Sequence, residues 1–410
     1  MLRWSAFAAV LSGAGLPIYI YAPKLYADAY GVSLTALGLV LVGLRALDVV
    51  QDPLLGWLAE RLGRARGTVA AIAAALMAAA MIGLLAVPPP GAPLAWFALT
   101  LAALFTAYSF LSIAFYAAGV AFAQGCGGHL RLAAWRESGA LVGVCLAAAA
   151  PALLAAAGLP VALYAYAFAA AALLAAWAMR GAWDAGALSE PVPVGAILAD
   201  RPARALLLLA LVNAAPVAVS STLFLFFVES RLAAPGWEGA LLILFFLSAA
   251  AAAPLWSRAA ARVGPRRALL AAMALATFSF GWAFLLGPGD AAAFAVICVA
   301  SGAATGADLT LVPALFAARM ARVAPNGGQG FGLWALVSKA TLAVSAAALL
   351  PALDAAGFVS GEPATGSAAR ALSALYAALP CALKLIAIGL VLRLPEGAVS
   401  GADPEGAQHA

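Results

Sequence analysis

Residues 44–67, LRALDVVQDPLLGWLAERLGRARG, place three ionisable side chains inside a long apolar run. Arg45, Asp48 and Asp52 are spaced so that they share one face of a helix. The chain around them has 410 residues, of which 66% are hydrophobic and 10% are charged, and its mean hydropathy is +1.04. Soluble proteins are typically about 45–50% apolar and about 25% charged. A water-soluble fold could not cover so much apolar surface, so the sequence predicts an integral membrane protein.

The apolar runs are long enough to cross a bilayer as helices, since one span needs about 20 residues. They do not alternate between apolar and polar positions as the strands of a membrane barrel do. The sequence therefore predicts an all-helical membrane protein with twelve transmembrane helices. The predicted spans are 5–25, 34–59, 68–87, 93–124, 132–157, 159–179, 205–229, 236–257, 268–287, 291–318, 330–352 and 371–393.

The basic residues are distributed unevenly between the two sides of these spans. Sixteen of the 22 lysines and arginines lie at the N-terminus or in every second connection. Because Lys and Arg favour cytoplasmic loops, both termini are predicted to be cytoplasmic, in a plasma membrane of the bacterial inner-membrane type. The net charge is +5, but the basic residues are concentrated in loops on one side of the membrane. The charge is therefore explained by topology, and no nucleic-acid partner is expected.

An internal repeat relates the two halves of the chain. The segment PLLGWLAERLGRARG (53–67) aligns without a gap with PLWSRAAARVGPRRA (254–268), and this pairs Gly63 with Gly264. Parallel repeats of six helices are the architecture of the major facilitator superfamily, whose halves rock around a site at the membrane midplane. The predicted parts are an N-terminal six-helix bundle (1–179), a cytoplasmic linker (180–204), a C-terminal six-helix bundle (205–393) and a disordered cytoplasmic tail (394–410).

The charges in predicted helix 2 allow two interpretations. A charge at the centre of a bilayer costs at least about 2.5–3.5 kcal/mol, so such groups face the bundle interior and are usually functional. Asp48 and Asp52 stand one turn apart, and each raises the cost of ionising the other. A bound cation or proton would relieve that repulsion. Alternatively, Arg45 pairs with Asp48, or Lys339 pairs with one of the acids, in a static ion pair. Both interpretations hold if the pair breaks during transport.

The segment GVSLTALGLVLVGLRALDVVQDPLLGWLAERLG (31–63) resembles the glycoside–pentoside–hexuronide:cation symporters, the melibiose permease-like branch of the major facilitator superfamily. That branch carries a helix-2 pattern of Asp, two spacers, a polar residue and Asp-Pro, here Asp48, Gln51, Asp52 and Pro53. The segments WRESGALVG (135–143) and GLWALVSKATLA (332–343) are similar to the branch as well.

The resemblance implies a cation site in helix 2. Asp48 and Asp52 would be its carboxylates, for a proton or a sodium ion, with Gln51 beside them where the family usually has Asn. Lys339 would be the helix-11 lysine that communicates with these acids. Apart from sodium at Asp48 and Asp52, no metal is expected, and no cofactor other than the coupling ion.

The resemblance also suggests residues that line a substrate cavity. Arg136 would face the cavity from the cytoplasmic end of helix 5. Sugar-transporting members place one acid in helix 1 and one in helix 4, where this chain has Ser12 and Ser112. The missing helix-4 acid removes a hard oxygen that sodium prefers, and this favours protons. Polar residues in the apolar runs give further cavity candidates independently of the resemblance. Tyr19 and Tyr116 either line the cavity or make helix-packing contacts, and Asp308 either faces the cavity or pairs with Lys339.

The resulting functional prediction is a cation-coupled secondary transporter of a small organic solute, such as a sugar or a sugar-like compound, that works by alternating access. An exporter or carrier of amphipathic compounds or lysolipids is the alternative within transport. A non-transporting membrane scaffold or sensor is the alternative from another class. The sequence contains none of the common phosphate-binding or hydrolase motifs, so no enzyme is predicted. The expected partners are the solute, the coupling cation and the lipid bilayer, and the protein is expected to be a monomer.

The first testable prediction concerns topology. If the linker is cytoplasmic, a cysteine introduced at Ala187 of a cysteine-free protein should react with a membrane-impermeant thiol reagent only after the cells are opened. The physical reason is the bias of Lys and Arg towards the cytoplasmic side. Labelling of that cysteine in intact cells would contradict the predicted orientation.

Overall fold

A computed structural model describes residues 1–15, 22–125, 128–183, 192–357 and 366–395, and within these ranges the chain forms fifteen α-helices and no strand. The helices of the first half are α1 (Leu2–Gly13), α2 (Ala22–Tyr30), α3 (Leu34–Arg61), α4 (Arg66–Leu85), α5 (Pro93–Gly125), α6 (His129–Ala156) and α7 (Ala162–Met179). Those that follow are α8 (Val194–Ala199), α9 (Arg201–Phe226), α10 (Glu238–Val263), α11 (Pro265–Gly281), α12 (Ala291–Val323), α13 (Gly328–Ala355), α14 (Gly366–Ser373) and α15 (Leu379–Leu392).

Each of the twelve predicted spans coincides with helix in the described residues. The first span covers α1 and α2, and its residues 16–21 lie outside the described part of the chain. The last span covers the end of α14, a π-helical turn at Ala374–Ala378, and α15. Nine helices among the described residues are long and apolar enough to cross a membrane. α3, at 28 residues, also exceeds the length of about 20 residues that one span needs.

The chain forms two compact units. The first contains the described residues of Met1–Ile197 together with Met320–Leu336, and the second contains Leu198–Arg319 and the described residues from Val337 onwards. The change from the first unit to the second at residue 197 falls inside the predicted linker. Residues 184–191 of that linker, and the tail from residue 396, lie outside the described residues. The first unit thus includes the connection between α12 and α13, which belongs by sequence to the second half.

Close backbone contact between α1 and α6 organises the first unit. A Cβ atom added to Gly139 or Gly143 of α6 would overlap the backbone of Ser5 or Ala9 in α1. These two glycines are one turn apart on the same face of α6, where small residues let two membrane helices approach closely. The buried ring of Trp4 lies 5.1 Å from that of Phe115 in α5. The first helix is therefore held between α5 and α6.

The turns paired by the sequence repeat share a backbone feature. Gly63, which follows α3, has a φ of +49°, and Gly264, which precedes α11, has a φ of +89°. Residues with a side chain avoid positive φ, whereas glycine adopts it readily. Pro265 then begins α11, a position where its fixed φ suits a helix and its missing N–H costs nothing. The two glycines that the repeat pairs thus both adopt positive φ between consecutive helices.

The glycine contact predicts a difference between two Gly→Ala substitutions in helices. Gly143→Ala should lower the melting temperature of the purified protein, because the added methyl group overlaps Ala9. Gly389→Ala should leave it unchanged or raise it, because a Cβ at Gly389 of α15 meets no atom within 4 Å and alanine favours a helix by about 0.5–1 kcal/mol over glycine. Equal melting temperatures for the two variants would contradict the close packing of α1 on α6.

Candidate functional site

Asp48 and Asp52 both lie inside the protein. Each has a relative exposure of 0%, and both project from the middle of α3, one helical turn apart. A carboxylate without water needs compensating hydrogen bonds or charge, since burying an isolated ion costs far more than a protein can spare. The two acids are therefore placed where a cation or a proton has the greatest effect on their energy.

Gln51 connects these acids to α5. Its Nε2 donates a hydrogen bond of 2.7 Å to Oδ1 of Asp48, and its Oε1 accepts one of 3.1 Å from the hydroxyl of Thr106. An ionised carboxylate can only accept, whereas a hydroxyl can donate or accept, so the bond to Asp48 decides which way the amide points. Gln51 thus presents an N–H group, and not its oxygen, towards Asp48.

Pro53 changes the backbone beside Asp52. It lies inside α3 and has no N–H group, so the carbonyl of Val49 loses its usual donor four residues later. A carbonyl oxygen without that donor is a hard ligand of the kind that sodium accepts. The Asp-Pro pair therefore combines a buried carboxylate with a weakened segment of helix.

The described contacts do not test the roles that the sequence suggested for Tyr19, Arg45 and Lys339. Tyr19 lies outside the described residues, and Arg45 lies on α3 but its side chain is outside the described part. Lys339 is half-buried on α13 and belongs to the second unit. Its predicted communication with the helix-2 acids stays a prediction.

The cavity candidates Arg136 and Tyr116 form one buried cluster in the first unit. Nε of Arg136 donates to Oε1 of Glu137 at 3.0 Å, and the hydroxyl of Tyr116 donates to the same oxygen at 3.1 Å. The Arg136 guanidinium also lies 3.8 Å from the centre of the Tyr116 ring, a favourable cation–π contact. On the same face of α5, one turn earlier, the Ser112 hydroxyl donates to the Ser109 carbonyl at 2.9 Å. Arg136 is therefore neutralised by its neighbour in the sequence.

Glu60, at the end of α3, holds the connection between α12 and α13. Its carboxylate accepts hydrogen bonds from the backbone N–H of Gln329 at 2.7 Å and from Nε2 of Gln329 at 3.1 Å. Nearby, Arg66 donates to the side-chain oxygen of Asn326 and to the carbonyl of Ala59 at 2.9 Å. Glu60, Arg66 and Asn326 are all buried. These polar groups lock the connection against the turn that carries the sequence repeat.

The backbones of α3 and α13 come close at the same place. A Cβ atom on Gly56 would lie 2.7 Å from the carbonyl oxygen of Gly328 and 3.2 Å from Cα of Gly332. Such an approach needs glycine on both helices, because a methyl group on either side would push them apart. The start of α13 is thus packed along α3 just below the helix-2 acids.

A second buried cluster of charge lies in the second unit. Nζ of Lys384 in α15 is 2.6 Å from Oδ2 of Asp308 in α12 and donates a hydrogen bond of 2.7 Å to Oδ1 of Asn213 in α9. All three residues are buried. The sequence suggested Asp308 as a cavity residue or as a partner of Lys339. The structure pairs it with Lys384, for which the sequence gave no partner because three separate helices supply the cluster.

Solved structures with the same fold define the class of protein. A bacterial homologue of the iron transporter ferroportin, in an outward-facing state, has a TM-score of 0.70 and 14% identity, with 96% of this chain and 99% of that chain covered. The E. coli fucose:proton symporter FucP has a TM-score of 0.64, 14% identity and coverage of 96% and 97%. The human organic anion transporter MFSD10 has a TM-score of 0.62 and 18% identity, with 95% of this chain and 97% of that chain covered. At these identities the likeness shows the fold alone, which is that of the major facilitator transporters.

The sequence profile of the MFS/sugar transport protein family matches residues 4–396. The chain belongs to this family, and no curated protein matches it significantly. The family assignment drawn from the pattern Asp48, Gln51, Asp52 and Pro53 is confirmed, as are the all-helical membrane class and the major facilitator fold. Members of this family are transporters and not enzymes, so the protein is an integral membrane transporter of a small-molecule substrate.

The buried Glu60 contact gives a prediction about stability. Glu60→Ala should lower the melting temperature, because two donors of Gln329 lose a charged acceptor, and each such hydrogen bond contributes about 1.5–3 kcal/mol. Glu238→Ala is the matched control, since that carboxylate accepts a hydrogen bond from the backbone of Gly236 at an exposed position. Equal melting temperatures for the two variants would mean that the α12–α13 connection does not depend on Glu60.

Proposed function

We propose that this protein is a cation-coupled secondary transporter in which Asp48 and Asp52 bind the coupling cation. The family and fold support transport of a small molecule across a membrane. The observation that carries the coupling proposal is the pair of fully buried carboxylates, one turn apart on α3. Two such groups cannot both remain ionised cheaply without a compensating positive charge. Binding a cation or a proton therefore changes the energy of this helix, as coupling requires.

The surroundings of the acids favour a proton over sodium. Sodium prefers several hard oxygen ligands, whereas a proton needs only one carboxylate oxygen. Gln51 turns its N–H group towards Asp48 and its oxygen towards Thr106, so in this arrangement the amide offers the acids no oxygen. Ser112 stands where sugar-transporting relatives have an acid, and it bonds to its own helix. Sodium coordination would rest on the two carboxylates and the Val49 carbonyl.

The proposed transporter is a monomer in a plasma membrane of the bacterial inner-membrane type, with both termini in the cytoplasm. The orientation rests on the distribution of lysine and arginine. The proposed substrate is a small organic solute, with sugars and sugar acids as the first compounds to test, because the family description is that of sugar transport. A thermal-shift screen of the purified protein identifies compounds that bind, since a ligand stabilises the folded state by mass action.

The test of the cation site is the variant Asp52→Asn. It should abolish accumulation of the compound that the screen identifies, and it should remove the dependence of that compound's binding on pH or sodium. The amide keeps the volume of the side chain but carries no negative charge and takes up no proton. Uptake into proteoliposomes with an imposed pH or sodium gradient measures the first effect, and calorimetry measures the second.

Asp290→Asn is the control for removing an acid, because Asp290 lies in an exposed loop and bonds to the backbone of Gly287. It should transport as the original protein does. The melting temperature of Asp52→Asn shows whether that variant is folded. A folded Asp52→Asn variant that accumulates substrate normally would mean that Asp52 is structural, and the coupling proposal would then be wrong.

A further inference from the structure

The ion pair in the second unit is incompletely satisfied. Oδ2 of Asp308 bonds to Lys384 at 2.6 Å, but Oδ1 is buried and accepts no hydrogen bond within the described part of the chain. A buried pair stabilises a fold only when its remaining polar atoms are bonded as well, and apolar residues of similar size are often as stable. The pair is therefore poorly explained as a purely structural element.

A cleft opens beside this pair. It is mostly apolar and only partly enclosed, with walls that include Phe245, Phe280 and Pro380, and Lys384 forms part of its lining. All of its lining residues belong to the second unit. A single charged group at the wall of an apolar cleft suits a ligand with an apolar body and one charged end.

Lys384 is the group in this lining that is suited to bind an anion. The hydroxyls of Thr277, Ser301 and Thr305 in the lining donate to carbonyls of their own helices. The ammonium of Lys384 carries three protons, and its bonds to Asn213 and Asp308 use two of them. The third remains for a ligand in the cleft.

We propose that Lys384, Asp308 and Asn213 form a second binding site, which takes an organic carboxylate with an apolar body together with one proton. Without ligand, the ammonium and the Asp308 carboxylate neutralise each other. A carboxylate bound to Lys384 alone would leave one uncompensated negative charge in a buried site, which is costly. A proton taken from solution onto Asp308 forms an O–H bond and restores neutrality, so that Lys384 then pairs with the ligand. Anion and proton therefore bind together.

Other charged side chains of the second unit are not placed to compensate the ligand's negative charge instead of this proton. Apart from Lys384, Asp308 and Lys339, the described charged side chains on helices of this unit stand within about two turns of a helix end: Arg201, Arg204, Glu229, Arg231, Glu238, Arg258, Arg262, Arg266, Arg267, Arg319 and Arg370. The thiol of Cys381 lines the cleft, and that of Cys298 lies further along α12. α9 contributes the uncharged Asn213 to the pair. Asp308 is thus the acid placed to take up the proton.

The test measures binding of butyrate, hexanoate and benzoate to the full-length protein, with butyramide, hexanamide and benzamide as uncharged controls. Isothermal titration calorimetry in two buffers with different heats of ionisation counts the protons taken up. At least one carboxylate should bind more tightly than its amide and more tightly at pH 6 than at pH 8. Its binding should be accompanied by the uptake of about one proton. If no carboxylate binds better than its amide, or if binding takes up no proton, the proposal is wrong.

Two variants separate the roles of the charged residues. Asp308→Asn imitates the protonated acid, so it should bind the same carboxylate without proton uptake and equally well at pH 6 and pH 8. Lys384→Met should weaken binding by about tenfold or more, which corresponds to about 1.4 kcal/mol or more. Proton uptake that persists in Asp308→Asn, or undiminished affinity in Lys384→Met, would overturn the assignment. If Lys384→Met does not fold, the double variant Asp308→Leu/Lys384→Met, which removes both charges, takes its place and should show the same loss.

This site is separate from the proposed cation site on α3, and the two proposals fail independently. Asp52→Asn should retain carboxylate binding and its proton uptake, because Asp52 belongs to the first unit and Asp308 to the second. Loss of carboxylate binding in a folded Asp52→Asn variant would contradict the independence of the second site. Normal transport by Asp52→Asn would leave the carboxylate site intact and would count only against the coupling role of α3.

Discussion

The cost of burying charge is the constraint on which the functional parts of this protein depend. In a chain that is only 10% charged, an ionisable group inside a helical bundle must be paired, hydrogen-bonded or neutralised by a proton. Gln51 donates a hydrogen bond to Asp48 and accepts one from Thr106. Glu137 neutralises Arg136, and Lys384 neutralises Asp308. The polar residues therefore form small separate clusters, while the rest of each unit packs through alanine, glycine and aromatic side chains.

The two units use this constraint differently. In the first, a single helix carries two acids one turn apart, so each raises the cost of ionising the other, and a bound cation or proton relieves that repulsion. In the second, separate helices supply one acid and one lysine, so the bare site is neutral and gains affinity for an anion only when the acid is protonated. These opposite arrangements occur on related six-helix repeats, whose turns contain glycines with positive φ at matching positions, Gly63 and Gly264.

The sequence predicted the class and the fold well because both depend on local or periodic features. Run lengths define the spans, and a repeat that includes polar loop positions defines the two halves. The helix-2 acids stand out in the sequence because they interrupt an apolar run, and their role as a cation site stays a prediction. The Asp308–Lys384 pair was missed because its members are 76 positions apart and their contact depends on how α12 and α15 pack. The bond between Glu60 and Gln329 was missed for the same reason, since these residues are 269 positions apart.

The Glu60 contact also shows how a repeat acquires different roles in its two copies. The first copy, at the end of α3, has a buried glutamate, and this residue accepts two hydrogen bonds from Gln329 in the connection that follows α12. The equivalent residue of the second copy is Ala261, whose side chain cannot accept a hydrogen bond. Both turns hold a distant segment through a charge-assisted bond, but the groups differ: Glu60 accepts from Gln329 after α3, whereas Arg266 donates to the carbonyl of Leu392 after α10. The two copies of the repeat therefore fasten distant segments of their own units with groups of opposite charge, although their helices follow the same order.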